Sequence, residues 1–467
     1  MLGRSARART VWIVLAVAGA LAWPRLDPRV IATGAYGYVQ TLPADLDRAR
    51  FRSQFERSRI EALFHRDGRC ATVTVERFVP THTIYLKTDG KVEGSVPDGT
   101  GPSRADMSTQ VLLAAAPLAF APRAQAVAVV GLGSGVSAAT AAAFEPARLE
   151  VIEIERAVWE AVRAVPPLGA EIVPLARAHR LRVRIADARR LLARSAPGSF
   201  DVVIAQPSEP WRGGSAALFT REAFRAVARA LRPGGIAAQW VQLYGLDRAG
   251  LATLLATFES VFAHVAVLRP HGARELILLG SDRPLRIDPV RVAQRIERAA
   301  VRRWLERAEV DGVAGLLGEL VAGTEALRRF AAGAPVSTDD HNRIAYRAPR
   351  TRFVPPQTAD RLAQALLEGA AGLGPLFGAV DDETRHEIAL AAARAGNRWA
   401  AEAQLAAVRD PARRLRWLGD VRLVGRDVIG ALRAWDEALR RDPGDEAVLQ
   451  RLVRLRLALG AREGGAR

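Results

Sequence analysis

A glycine-rich turn is the first group of residues whose types and spacing could bind a ligand. The run Gly131-Leu132-Gly133-Ser134-Gly135 directly follows a short apolar stretch and opens a stretch of helical periodicity. Glycines let the backbone turn sharply and bring a ligand against the amides at a helix N-terminus. Tight strand-to-helix turns also use glycine for packing alone, so this turn by itself is a weak indication of a ligand site.

Three acidic residues lie at the ends of the next two predicted strands. Glu153 lies at the end of the second strand, where an acid can accept hydrogen bonds from two ribose hydroxyls. Glu155 shares its face by strand alternation, and we expect one of the two to face the crevice while the other begins the next helix. Asp187 follows the third strand, where a carboxylate can accept the exocyclic amine of an adenine. Together with the glycine turn, these residues predict an adenosine site at the carboxyl ends of the strands.

The fourth predicted strand leads into Gln206-Pro207-Ser208-Glu209-Pro210-Trp211, at the position that would face a reacting centre. Gln206 and Glu209 are the candidate catalytic side chains in this loop. Proline-rich loops are often only structural, so a plain turn with a stacked tryptophan is the alternative interpretation.

The elements that must position these residues form an α/β pattern. The predicted strands are Val127–Val130, Leu149–Ile154, Val183–Ile185, Asp201–Ala205, Ile236–Val241, Val265–Leu268 and Glu275–Leu279. Strands that alternate with helices predict a mostly parallel sheet covered on both faces. Only residues 269–274 join the last two strands, so that pair must be antiparallel. A parallel sheet ending in an antiparallel hairpin favours a class I S-adenosylmethionine-dependent methyltransferase-like (Rossmann-like) fold over a dehydrogenase fold.

Four regions are predicted along the chain. Residues 1–33 form an anchor or signal-like segment, and residues 34–122 form a β-rich subdomain in which Asp89-Gly90 supplies hairpin turn chemistry. Residues 123–355 form the α/β domain, and residues 356–467 form a helical tail. In that tail, the spacing of Ala431, Trp435, Ala438 and Pro443 fits half of a tetratricopeptide repeat. A degenerate repeat packed on its neighbour is the first interpretation, and a binding surface is the second.

Composition excludes some classes of function. The formal charge of +17 is spread along the chain and no aromatic-basic module accompanies it, so nucleic acid is not an expected partner. The single cysteine, Cys70, cannot form an internal disulfide and is expected to be a half-buried strand residue. No metal is expected.

The N-terminus suggests a membrane connection. Arg4, Arg7 and Arg9 precede an apolar run from Val11 to Trp23, which Pro24 closes. The run is shorter than the roughly 20 residues that span a bilayer. It is typical of a signal peptide or a short signal anchor, and the basic flank would direct the rest of the chain outward. An enzyme that needs a cytosolic nucleotide would instead have to keep the rest of the chain in the cytoplasm.

Several longer runs resemble the spermidine synthase-like (polyamine aminopropyltransferase) domain, most closely the bacterial branch in which it is fused to membrane transporter-like helices. The matching runs are Phe200–Trp211, Leu218–Thr220, Gln239–Tyr244, Ser337–Asp340 and Ala348–Arg350. The resemblance implies binding of decarboxylated S-adenosylmethionine or S-adenosylmethionine, a small-molecule amine acceptor and a homodimer as one expected state. It assigns Glu153 to the ribose, Asp187 to the adenine and the glycine turn to the ligand's tail.

The same resemblance places Asp106 and Gln110 in the segment that covers the nucleoside. At two positions, however, this chain differs from the family's pattern. Authentic spermidine synthases have an aspartate where this chain has Ser134, and a catalytic aspartate where it has Gln206. Aminopropyl transfer needs a neutral amine, so a base must remove its proton. Gln206 cannot take a proton at neutral pH, which leaves Glu209 as the nearby base.

Three hypotheses remain open on the sequence. The first is an aminopropyltransferase with a degenerate catalytic loop and Glu209 as base. The second is a methyltransferase that uses S-adenosylmethionine, whose carboxylate Ser134 would tolerate better than an aspartate would. The third is a non-catalytic nucleoside-binding module that reports through the helical tail. For location, the resemblance favours a domain tethered to the cytoplasmic membrane and facing the cytoplasm.

Overall fold

The computed structural model describes residues 11–19, residue 50 and residues 59–464, except 102–105, 211–213, 352–354, 356, 369–372 and 378–379. Residues 11–19 form an exposed helix, and the remainder of the apolar N-terminal run lies outside the described residues. Across the part of the chain that the structure describes, every helix is too short or too polar to cross a membrane.

A four-stranded antiparallel sheet precedes the α/β domain. Its strands are β1 Ile60–Asp67, β2 Thr72–Phe78, β3 Thr83–Thr88 and β4 Lys91–Pro97, paired in that order. Asp89 and Gly90 connect β3 to β4 with φ angles of 46° and 78°, as a tight hairpin turn requires. The region predicted to be β-rich therefore contains a four-stranded sheet, and its bounds as a subdomain stay a prediction. The prediction for Cys70 was wrong, because this residue lies exposed in the bend between β1 and β2.

The second sheet has eight strands in the order β12-β10-β11-β9-β8-β5-β6-β7. The strands are β5 Ala126–Val130, β6 Arg148–Glu153, β7 Arg182–Ile185, β8 Phe200–Ala205, β9 Leu231–Gln242, β10 His264–Leu268, β11 Glu275–Ser281 and β12 Leu320–Gly323. Strands β5 to β9 are parallel, and β11 runs antiparallel to both β9 and β10. This order confirms the class I methyltransferase-like fold. The edge strand β12 was not predicted, because four buried residues are too few to show a period.

Helices cover both faces of this sheet. Those up to β12 are Met107–Phe120, Val136–Ala143, Arg156–Ala164, Pro166–Gly169, Ile172–Arg177, Ala188–Arg194, Arg221–Ala230, Arg248–Glu259, Pro289–Ile296, Ala299–Arg307 and Gly312–Gly318. The helix Met107–Phe120 is almost entirely buried and packs on β8, β9 and the helix that follows the glycine turn. An all-round apolar helix of this kind belongs inside a core. This helix precedes residue 122 but packs on the second sheet. The boundary at residue 122 between the β-rich region and the α/β domain stays a prediction.

The C-terminal region is helical, as its composition predicts. Its helices are Thr324–Ala331, Arg343–Thr351, Gln357–Leu367, Asp382–Arg394, Arg398–Leu405, Pro411–Val424, Val428–Arg441 and Glu446–Gly464. Trp435 is buried between two of them, and its indole Nε1 donates to the carbonyl of Arg416 at 3.1 Å. A Cβ at Gly419 would lie 2.2 Å from the Trp435 ring, so this close helix pair requires glycine there. Ala431, Trp435 and Ala438 are thus buried packing residues, whereas Pro443 is exposed, and the assignment of the four residues to a tetratricopeptide repeat stays a prediction.

Candidate functional site

The glycine turn lies at the carboxyl end of β5 and opens the helix Val136–Ala143. Gly131, Gly133 and Gly135 have φ angles of 87°, 50° and 86°, which residues with a Cβ rarely adopt. A Cβ at Gly131 would also lie only 2.9 Å from the carbonyl oxygen of Gln206. The turn therefore needs glycine both for its backbone angles and for its close approach to the neighbouring loop.

Glu153 faces this turn from the end of β6. Its carboxylate accepts hydrogen bonds from the amides of Leu132 and Glu155, each at 2.8 Å. Burial raises the pKa of Glu153, and the two backbone hydrogen bonds offset part of that effect. Glu155 begins the next helix, where it caps the amide of Ala157 at 2.9 Å. Glu155 therefore starts the next helix, as expected of one of the two acids, and the place of Glu153 at a ligand crevice stays a prediction.

Asp187 lies at the same edge of the sheet, after β7. One carboxylate oxygen caps the helix Ala188–Arg194 by accepting from the amide of Arg189 at 2.9 Å. The other oxygen lies 3.6 Å from the guanidinium of Arg190, and 43% of the Asp187 side-chain surface is exposed. Asp187 is thus placed at a strand end and remains accessible from solvent.

Strand β4 of the first sheet covers the glycine turn. The hydroxyl of Ser134 donates to Oε1 of Gln110, and Nε2 of Gln110 donates to the carbonyl of Ser95 at 2.9 Å. A Cβ at Gly94 would lie 2.9 Å from Oε1 of Gln110, so β4 can approach this closely only because it has glycine at that position. The structure therefore brings Gln110 and Ser134 together, as two neutral groups in direct contact.

The loop after β8 is anchored between the two sheets. The amide of Gln206 donates to the carbonyl of Val130 at 3.1 Å, and the Ser208 hydroxyl donates to Oε1 of Glu93 at 2.6 Å. Glu209 is 2% exposed, and one of its oxygens lies 3.0 Å from Nζ of Lys91. Trp211 lies outside the described residues. The candidate base Glu209 is therefore buried and in contact with an ammonium group from β4.

Four acidic side chains gather around Tyr244, and we refer to them as the acidic cluster: Glu93, Asp106, Glu209 and Glu275. Burial and the charges of all four raise the pKa of Tyr244 well above its usual value. Asp106 is exposed at the surface as a whole residue, while partial burial of its carboxyl group and the charge of Glu275 raise its pKa to about 7. Such a concentration of negative charge favours a cationic ligand.

Sequence reasoning found only one member of the acidic cluster as a catalytic candidate. Glu93 and Glu275 were missed, and Asp106 was assigned only to the cover of the nucleoside. Glu93 joins the two halves of the site, because it contacts Ser208 and its charge also acts on Glu153. One feature of the composition could have directed attention to β4. The chain has only two lysines among its 67 basic residues, and both, Lys87 and Lys91, flank the turn between β3 and β4.

The donor set does not suggest a metal centre. Among the described residues, no group of three or more His, Cys, Asp or Glu side chains is arranged to hold a metal ion. The acidic cluster is instead built around a phenol and a lysine.

Residues 107–269 match the family model described as "Spermine/spermidine synthase domain". Spermidine synthase 1 of Hyoscyamus niger is 26% identical over 160 residues, covering 34% of this chain and 50% of that protein. Spermidine synthase 2 of Datura stramonium is also 26% identical over 160 residues, covering 34% of this chain and 49% of that protein. The chain thus spans about half the length of the curated relatives it matches.

Solved structures with similar folds include a spermidine synthase in complex with the transition-state analogue AdoDATO, with a TM-score of 0.46 and 17% identity. That similarity covers 58% of this chain and 88% of the other. A probable spermidine synthase from Corynebacterium glutamicum gives a TM-score of 0.41 and 22% identity, covering 59% of this chain and 96% of that one.

Proposed function

Because residues 107–269 match the spermine/spermidine synthase domain, we propose that the chain transfers an aminopropyl group from decarboxylated S-adenosylmethionine to an amine. One observation carries this proposal: the glycine turn with Glu153 and the acidic cluster meet at one edge of the sheet, joined through Glu93. The first half suits an adenosine, and the second suits a cationic acceptor.

The proposed reaction is a displacement at the carbon of the aminopropyl group that is bonded to the sulfonium sulfur. The acceptor nitrogen forms a bond to that carbon, the carbon–sulfur bond breaks with its electron pair moving to sulfur, and methylthioadenosine leaves. The proton lost by the acceptor nitrogen goes to Glu209, the acid nearest to the neutral Gln206 in this loop. Because Lys91 lies 3.0 Å from Glu209, an ammonium of the chain itself already pairs with the carboxylate that the acceptor nitrogen would have to approach. We therefore propose that the native chain is a slow transferase.

Methyl transfer from S-adenosylmethionine is the second candidate, and the contact between Ser134 and Gln110 supports it. Neither side chain carries a negative charge that would repel the carboxylate of S-adenosylmethionine. Calorimetric titration of the full chain with each sulfonium compound separates the two candidates. Tighter binding of the decarboxylated form supports aminopropyl transfer, whereas tighter binding of S-adenosylmethionine supports methyl transfer.

Glu153→Ala tests the proposed nucleoside site. We expect binding of methylthioadenosine to weaken by about 1.5 to 3 kcal/mol, the range for hydrogen bonds to a charged group. Calorimetry measures the change. Glu150→Ala is the matched control, because Glu150 lies on the same strand, faces the other side and pairs with Arg184 at 3.4 Å. Native affinity in a folded Glu153→Ala variant would remove the ribose assignment.

For location, we propose that the first 23 residues hold the chain at the cytoplasmic membrane, with the α/β domain in the cytoplasm. The apolar run closed by Pro24 supports this assignment, and every residue of the helix 11–19 is exposed. We expect the full chain to sediment with membranes and a chain shortened to begin at Gly34 to remain in the supernatant with its nucleoside binding intact. A freely soluble full chain would contradict the proposal.

A further inference from the structure

The run Ser337–Asp340, which carries part of the family resemblance, is anchored in the fold at its first residue. The amide of Ser337 donates to the hydroxyl of Thr257 at 2.9 Å, and its carbonyl accepts from the amide of Arg221 at 2.9 Å. Ser337 has no exposed surface. A buried anchor therefore sets the place of Asp339, two residues later in the chain.

Asp339 joins two parts of the α/β region. Its amide donates to the carboxylate of Glu222 at 2.9 Å, and its Oδ1 accepts from the hydroxyl of Thr220, the cap of the same helix, at 2.8 Å. Its Oδ2 forms an ion pair with the guanidinium of Arg189, on the helix that follows β7. The same guanidinium donates to the carbonyl of Ala217 at 3.4 Å. Asp339 therefore ties the helix after β7 to the segment that follows the loop after β8.

Arg189 continues this chain of contacts to Asp187, the residue that the resemblance assigns to adenine. The backbone amide of Arg189 donates to Oδ1 of Asp187 at 2.9 Å, while its side chain pairs with Asp339. Oδ2 of Asp187 lies 3.6 Å from the guanidinium of Arg190, beyond the usual length of a hydrogen bond. This oxygen can accept an N–H group of a ligand, and its direction depends on how the start of the helix is held.

Stability alone is a poor explanation for the ion pair between Arg189 and Asp339. The two side chains are 28% and 36% exposed, and ion pairs this open to solvent contribute little to the free energy of unfolding. Such a pair can still fix the orientation of the helix start. Because a hydrogen bond weakens steeply as its angle departs from linearity, that orientation matters more to a ligand at Asp187 than to the fold.

We propose that Asp339 is a positioning residue for the nucleoside site. Through the guanidinium of Arg189, it holds the start of the helix after β7 so that Oδ2 of Asp187 faces the exocyclic amine of an adenine. This inference rests on the proposed function, because it assumes that an adenosine lies at this edge of the sheet. It gives the run Ser337–Asp340 a part in the choice of base, although none of its residues is assigned to the ligand.

The test compares two nucleosides on the full chain. Calorimetry measures the binding of methylthioadenosine and of methylthioinosine, which has a carbonyl oxygen in place of the exocyclic amine. The native chain should prefer methylthioadenosine at least about tenfold, the lower end of what a hydrogen bond to a charged group contributes. Asp339→Asn keeps the shape of the side chain but removes the charge that holds Arg189. It should lower this preference at least about threefold.

A double variant shows whether Asp339 acts through Arg189. Arg189→Met removes the guanidinium and keeps the backbone amide that contacts Asp187, so it should lower the preference as Asp339→Asn does. Because both changes break the same interaction, their effects should not add. The preference of the double variant should therefore lie within about twofold of that of either single variant.

Arg347→Met is the matched control, because it breaks another exposed ion pair a few residues further along the chain. Nε of Arg347 donates to Oδ1 of Asp247 at 2.8 Å, and the Arg347 side chain is 45% exposed. This pair fastens the loop after β9 and has no contact with Asp187 among those described above. Arg347→Met should leave the preference for methylthioadenosine at its native value.

The outcomes separate this inference from the proposed function. A native chain that binds neither nucleoside overturns the proposed function and this inference with it. Normal binding of methylthioadenosine with no preference over methylthioinosine overturns this inference alone. So does a preference that changes less than threefold in folded Asp339→Asn and Arg189→Met variants, an additive loss in the double variant, or an equal loss in Arg347→Met.

Discussion

Gln206→Asp is expected to raise aminopropyl transfer to 1,4-diaminobutane by about 10²- to 10⁴-fold, the usual contribution of a positioned general base. A carboxylate at this position would both accept a proton from the incoming amine and attract its positive charge, whereas the native amide does neither. The measurement is the initial rate of methylthioadenosine release with decarboxylated S-adenosylmethionine as donor. The native chain should show weak or no activity in the same assay.

The structure favours this substitution, because the backbone already holds position 206 in place. Its amide donates to Val130 at 3.1 Å, and the side-chain oxygen lies 3.4 Å from the hydroxyl of Ser137. An aspartate oxygen can accept the same hydroxyl after a small adjustment. Gln206→Asn is the matched control, since it has the shape of aspartate without the base and should leave the rate at the native level.

Restoring the second missing acid is a separate step. Ser134→Asp would place a carboxylate against Oε1 of Gln110, which now accepts the Ser134 hydroxyl. The Gln110 amide would have to turn over and offer its NH₂ group instead. We expect the double variant with Gln206→Asp to exceed the single one only if that rotation occurs. A native enzyme as fast as ordinary spermidine synthases would contradict the whole account of the base.

The periodicity of the sequence predicted those candidate site residues that directly follow a single strand. The glycine turn, Glu153 and Asp187 each follow a predicted strand, and strand order then places them at one edge of the sheet. Because parallel strands carry their ligands at their carboxyl ends, three sequence positions were enough to propose a nucleoside site at that edge. The positive φ angles of the glycines agree with the reason given for their presence.

The acidic cluster could not be predicted in the same way. Its acids come from β4, from the start of the helix Met107–Phe120, from the loop after β8 and from β11. No sequence period connects these segments, and only the packing of the first sheet on the second brings them together. The contact of Lys91 with Glu209 has the same origin, since it joins residues 118 positions apart in the sequence.

That contact has a measurable thermodynamic consequence. The Lys91 side chain is 24% exposed and the Glu209 side chain 3%, so the carboxylate depends on its ammonium neighbour more than the ammonium depends on it. Removing one partner of a buried ion pair costs about 3 to 5 kcal/mol, because the remaining charge stays buried. We expect Lys91→Met to lower the free energy of unfolding by about 3 kcal/mol, near the lower end because Lys91 is partly exposed. Denaturant unfolding followed by circular dichroism measures the change.

A double-mutant cycle shows whether this loss comes from Glu209. Adding Glu209→Gln to Lys91→Met removes the buried charge, so the double variant should recover stability relative to the sum of the single changes, by about 1 to 3 kcal/mol. The other lysine supplies the matched control, because Lys87 forms a buried pair with Glu76 at 2.5 Å in the same sheet. Lys87→Met should also destabilise the chain, but its effect should add to that of Glu209→Gln within about 0.5 kcal/mol. Additive changes in both cycles would show that Lys91 does not hold the charge of Glu209, and the explanation offered here for a slow native transferase would lose its basis.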